Sequence, residues 1–198
     1  MLLAEFSYRF LKLPTEWTRK IAHVGSGIIA LSYPFYIHTH WIVFALTISF
    51  MVILFTSKKM GLFQSIFSVG RKSSGELFFV ISSWLLFWLY QETENLLYFY
   101  LPFSVVVFAD PAAALIGTYF PLKKYTIFAN TKSYGGSLAF FLVTFILYAL
   151  LACDILSFQL LFKAFLFSLV LALVEAFSSK GWDNLTIPLI GVLLLYLL

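Results

Sequence analysis

Residues 106–117 read VVFADPAAALIG, an apolar run with a carboxylate and a proline at its centre. The residue before a proline avoids α geometry, and a buried carboxylate is costly in hydrocarbon. Residues 96–109 would rise about 21 Å as a helix, leaving Asp110 roughly 10 Å short of the far boundary of a 30 Å membrane core. The stretch therefore predicts a membrane span broken at Asp110-Pro111. Asp110 would be the cap and Pro111 the first residue of a half-helix near 111–120, with its positive end turned toward a site. Ala113 and Gly117, four apart, would let another helix approach closely.

The rest of the chain fits that reading. Of 198 residues, 62% are hydrophobic and only 11% charged, against roughly a quarter charged in soluble domains. An all-α polytopic membrane protein follows, with seven expected spans at 20–37, 41–57, 76–91, 96–120, 136–152, 156–177 and 185–198. Connections are short, no repeat is evident, and residues 1–198 form a single membrane domain. The first twenty residues lack the apolar core of a signal peptide. Leu2, Leu3, Phe6, Phe10 and Leu13 instead recur at helical spacing, which predicts a surface-lying helix over 1–15. A second amphipathic surface segment is expected over 58–75. The single cysteine, Cys153, excludes an internal disulfide and a cysteine-based metal cluster.

Basic residues orient the chain. Twelve of the thirteen fall before the first span or after the second, fourth and sixth, and the opposite connections have none. Lys163 is the exception. The positive-inside rule places the N-terminus and these loops in the cytoplasm, in the inner membrane if the cell is bacterial. Five carboxylates, Glu16, Glu76, Asp110, Glu175 and Asp183, fall at or inside the cytoplasmic ends of spans.

Four further segments carry candidate chemistry. Glu16, Arg19, Lys20 and His23 occupy one helical face, as ion pairs closing the helix or as a site looking into the protein. RKSSGE (71–76) combines basic anchors Arg71 and Lys72 with Glu76 and a possible cap, Ser74. NTKSYGGS (130–137) offers Lys132, Ser133, Gly136 and Ser137 at a helix start, suited to a phosphate or to an ordinary cap. It lacks the spacing of a Walker A loop. EAFSSKGWDNLTIP (175–188) brings Glu175, Asp183 and Asn184 together as oxygen donors of the kind Mg²⁺ takes alongside substrate phosphates, or as helix caps. The inventory is that of a site bringing a charged cytoplasmic phosphate compound to a lipid, with no sign of a nucleic-acid partner.

These segments resemble, in order, the blocks of the phytol kinase, dolichol kinase and CTP-dependent diacylglycerol kinase family: Glu16-x-x-Arg19-Lys20-x-x-His23, Arg71-Lys72-Ser73-Ser74-Gly75-Glu76, Ala109-Asp110-Pro111-Ala112 through Gly117, Lys132-Ser133-Tyr134-Gly135-Gly136-Ser137, and Glu175 with Asp183-Asn184-Leu185-Thr186-Ile187-Pro188. Dolichol and diacylglycerol kinases typically have Glu where this chain has Gly135, so it looks more like the phytol and farnesol kinase branch. The resemblance implies an isoprenoid alcohol as acceptor, CTP or UTP as donor and Mg²⁺ as cofactor. On it, Asp110 would hold metal or accept the hydroxyl proton, with Glu175 and Asp183 as further metal ligands. Lys132, Arg71, Lys72, Arg19 and Lys20 would hold the triphosphate, and His23 would be base or orienter. A diacylglycerol kinase, or a cytidylyltransferase attaching CMP to a lipid phosphate, suits the same inventory. A non-catalytic transporter or scaffold suits it less, because the outer halves of the spans are nearly free of polar groups.

Overall fold

The computed structural model describes residues 10, 12, 14–60, 74–127, 130–152 and 157–198. The two surface segments expected over 1–15 and 58–75 lie mostly outside these residues, as do Arg71, Lys72 and Cys153. Among the described residues seven helices overlap the seven expected spans: α1 Thr15–Leu31, α2 His40–Lys59, α3 Gly75–Thr93, α4 Leu97–Tyr119, α5 Tyr134–Leu151, α6 Phe158–Phe177 and α7 Asp183–Leu197. α1 begins five residues before and ends six residues before the expected 20–37, because its charged Glu16–Lys20 turn is part of the helix. A short 3₁₀ turn, Tyr33–Phe35, follows α1.

Four of the seven, α2, α4, α5 and α6, are long and apolar enough to cross a membrane. The crossing segment of α4 is 61% buried and those of the other three 22–33%, which makes α4 the centre of the bundle. Its Phe99, Leu101, Phe103 and Val105–Val107 are fully enclosed, beside Phe87 of α3, Phe140 of α5 and Phe167 of α6. Small residues allow the closest approaches: Gly27 of α1 lies against Val107, and Gly117 of α4 lies against Ser133 and Gly136, so the expected close packing at Gly117 is present.

Two expectations are corrected. First, the span is not broken at Asp110-Pro111. Asp110 adopts helical angles (φ −62°, ψ −47°) despite preceding proline, and the helix runs through as a π-helical turn over Val105–Ala109. The Asp110 N–H bonds the Val105 carbonyl, five residues back, instead of the one four back. One extra residue in the turn accommodates the proline ring without ending the helix. Ala109, not Asp110, stands at the cap position of the segment that follows, and no side chain caps it.

Second, the chain is not wholly helical. Lys124–Ile127 (β1) and Asn130–Ser133 (β2) pair as an antiparallel hairpin, Lys124 opposite Ser133 and Tyr125 opposite Lys132. Tyr125, Thr126, Ile127 and Thr131 favour strands, a signal masked by the loop-like Asn, Lys and Ser around them.

Candidate active site

The site is built from the α1 face that carries Lys20 and His23. Its antiparallel partner is α4, and two polar rungs join them. Lys20 Nζ donates to Asp110 Oδ2 at 2.6 Å, with side chains only 6% and 15% exposed. One turn on, His23 Nε2 lies 3.0 Å from the Val106 carbonyl.

The second rung follows from the proline. In an α-helix the Val106 carbonyl would accept from Asp110 N–H, but the π turn diverts that donor to Val105. The next donor along, at position 111, is absent because proline has no N–H. Val106 is buried, so its carbonyl would be an orphan. His23 supplies the missing N–H, which fixes the proton on Nε2 and presses the ring against Phe79 of α3, centroids 4.3 Å apart. Proline, π turn and histidine are thus one device, which sets the level and direction of Asp110 relative to Lys20.

Glu16 and Arg19 stay on the outer turn of α1 and pair with each other at 2.7 Å, both part-exposed. Arg19 also feels the charges of Asp110 and of Glu76 at the start of α3. Opposite, Lys132 of β2 bonds the Glu175 carboxylate and, at 2.9 Å, the Glu175 main-chain carbonyl near the end of α6. That carbonyl end attracts a cation. Asp183 at the start of α7 lies within electrostatic reach of Asp110, Lys132 and Lys20, which ties the two ion pairs into one cluster. Asn184 anchors it, its Nδ2 donating to the Gly75 carbonyl at 3.0 Å, while Ser74 N–H bonds the Lys180 carbonyl. Elements far apart in sequence therefore meet at one end of the bundle.

Two acceptors in this cluster, Glu175 Oε2 and Asn184 Oδ1, are buried without a hydrogen-bond partner among the described residues. Among the described residues, no three His, Cys, Asp or Glu converge as a ready-made metal site. The expected phosphate block divides. Lys132 joins the charged cluster, whereas Ser133 caps α5 by accepting from Gly136 N–H at 3.1 Å, and Ser137 bonds the Tyr125 hydroxyl at 2.6 Å. Ser74 begins α3 without a side-chain cap bond, and Asp183 Oδ1 accepts from the Asn184 N–H. Gly135 has no room for a side chain, because a Cβ would run into the Phe120 carbonyl.

No family model matches the chain, and no solved structure matches it. A curated relative, the phytol kinase of a Synechocystis species, is 31% identical over 196 residues, 96% of this chain and 82% of that protein. The chain belongs to the phytol kinase family. In this member of the family, the tertiary structure adds three features that residue types do not announce. The Val106 carbonyl is a main-chain group made special only by Pro111. Trp17 donates to the Tyr119 hydroxyl at 2.5 Å, closing the outer end of the α1–α4 seam. Tyr125 reaches Ser137 only because the hairpin folds back on α5.

Proposed function

We propose that the chain is a CTP-dependent kinase that phosphorylates the hydroxyl of a membrane isoprenoid alcohol, of the phytol, farnesol, geranylgeraniol or polyprenol type, at the cytoplasmic side of the bilayer. The observation that carries the reading is the pair of lysine–carboxylate contacts, Lys20–Asp110 and Lys132–Glu175, with Asp183 within electrostatic reach of both lysines. UTP is the alternative donor.

Phosphoryl transfer needs positioning and charge neutralisation more than covalent chemistry. Lys20 and Lys132 each rest on a carboxylate. Arrival of the triphosphate moves Lys20 and Lys132 onto phosphate oxygens, with Arg19, Arg71 and Lys72 adding charge, and this uncovers Asp110 and Glu175. The lipid hydroxyl oxygen then forms its bond to the γ-phosphorus while the bridging oxygen leaves with CDP. Asp110 takes the hydroxyl proton.

The residues present fit Mg²⁺. Hard oxygen donors cluster here, two of them buried and unpartnered, and Mg²⁺ needs only one or two carboxylates when phosphates and water complete its shell. Glu175 and Asp183 would hold it, and when bound it would neutralise charge on the transferring phosphates. The decisive experiment incubates purified protein with γ-labelled CTP, Mg²⁺ and a panel of prenyl alcohols and diacylglycerol. Label on a prenyl alcohol with release of CDP supports the reading. Pyrophosphate release, or no transfer to any alcohol, overturns it.

A further inference from the structure

We propose that a slot enclosed by α1, α2 and α3 holds the isoprenoid chain next to the reacting hydroxyl and selects for that part of the lipid, an inference that rests on the kinase reading above. α1 packs chiefly on α4, and α2 chiefly on α3. Between these two pairs the described residues leave a cavity of about 140 Å³. It is lined by Ser26 and Ala30 of α1, Thr47 and Phe50 of α2, and Phe79 and Ser83 of α3.

Three observations point to a hydrocarbon chain as its occupant. The slot lies next to the charged cluster: Phe79 lines it and also packs, tilted, on His23, and Ser26 and Ala30 continue down α1 from His23 at helical spacing. A lipid with its hydroxyl beside Asp110 would thread downward along this line, in the direction the bilayer lies. Next, the serine and threonine hydroxyls lining the slot give their hydrogens to main-chain carbonyls. Ser26 donates to the Ala22 and His23 carbonyls, Ser83 to the Val80 carbonyl, and Thr47 to the same Val80 carbonyl at 3.4 Å. The wall is therefore mostly apolar and holds no unused Ser or Thr donor, with small residues set between aromatic faces, a relief that suits methyl branches. Finally, the slot opens sideways. Leu46, which also lines it, is 46% exposed on α2, the candidate crossing helix with the least buried surface.

Size decides what is selected. Sites that enclose a whole drug-sized ligand measure about 300–1,000 Å³. This slot is smaller, so it takes the branched segment nearest the hydroxyl and leaves the remainder of the chain among the bilayer lipids. The protein should therefore discriminate branched from straight-chain alcohols, and tolerate differences in total chain length.

The test uses the full-length protein in detergent micelles with added lipid. Ala30→Phe and Ser83→Phe each fill the slot. Each should raise the KM for farnesol and for phytol by about tenfold or more, the scale of excluding methylene groups from an apolar pocket, and leave the KM for CTP unchanged. To separate loss of the slot from loss of packing, the wild-type protein is also photolabelled. A prenyl alcohol with a diazirine on its first isoprene unit should mark peptides from α1, α2 and α3, and one with the diazirine at the far end should not. Unaltered prenol KM values in folded variants, or first-unit labelling confined to other helices, would overturn the slot. Absence of prenol phosphorylation by the wild type would instead remove the kinase reading itself.

Discussion

Removing the imidazole at position 23 isolates the device at the centre of the bundle. His23→Ala deletes the only N–H the described structure offers to the Val106 carbonyl, and it deletes a ring packed on Phe79. Leaving a buried acceptor unsatisfied costs about 1–3 kcal/mol, and the lost ring contact about 0.5–1.5 kcal/mol. The expected destabilisation is therefore about 1.5–4.5 kcal/mol. Pro111→Ala restores an N–H at position 111, and that donor can reach the orphaned carbonyl region without help from α1. The double variant should consequently be more stable than the sum of the singles. Hydrogen bonds between membrane helices average about 0.6 kcal/mol in such cycles and reach about 1.7 kcal/mol. A carbonyl with no other donor belongs near the upper figure. The assay is equilibrium unfolding in mixed detergent micelles, followed by the fluorescence of the five tryptophans. His23→Gln, whose side-chain amide can donate, should recover part of the loss. Singles that add to within about 0.3 kcal/mol, the tolerance of independent sites, would refute the linkage of histidine, π turn and proline.

Other outcomes follow from the same geometry. Asp110→Asn keeps shape but cannot accept the proton, so turnover should fall by about 10²–10⁴ with the protein still folded; near wild-type turnover would remove Asp110 from the chemistry. Lys20→Met leaves Asp110 buried without its cation, and breaking such a pair costs about 3–5 kcal/mol, visible as a large drop in the unfolding midpoint. Lys132→Gln should raise the KM for CTP while leaving the KM for the alcohol unchanged, as steady-state kinetics with each substrate varied would report. Gly135→Ala should destabilise by about 1–3 kcal/mol through collision with the Phe120 carbonyl, measured by the same unfolding assay. Chelation with EDTA should abolish transfer, and added Mg²⁺ should restore it.

Sequence alone was enough to locate six of the helices to within two residues at either end, because a run of apolar residues punctuated by charge and turn residues is a local property; it misplaced the first, Thr15–Leu31 against an expected 20–37, whose opening turn is charged. The expected span 41–57 against the observed His40–Lys59, or 156–177 against Phe158–Phe177, shows how little the neighbours alter such ends. It also singled out Lys20, Asp110, Lys132, Glu175 and Asp183, since ionisable groups beside long apolar runs are costly enough to stand out. Tertiary structure decided which of them face each other. Spacing on α1 put Glu16, Arg19, Lys20 and His23 on one face, but only α4 divides them into a local pair, Glu16–Arg19, and two rungs across the seam. The preference of a pre-proline residue pointed to a break at Asp110. The packed core around Val105–Val107 instead kept the helix intact, absorbing the proline as a π turn whose stranded carbonyl is met from another helix. A local rule lost there because its cost is small compared with interrupting the most buried helix, and the donor that made the compromise possible lies 83 residues away in the chain.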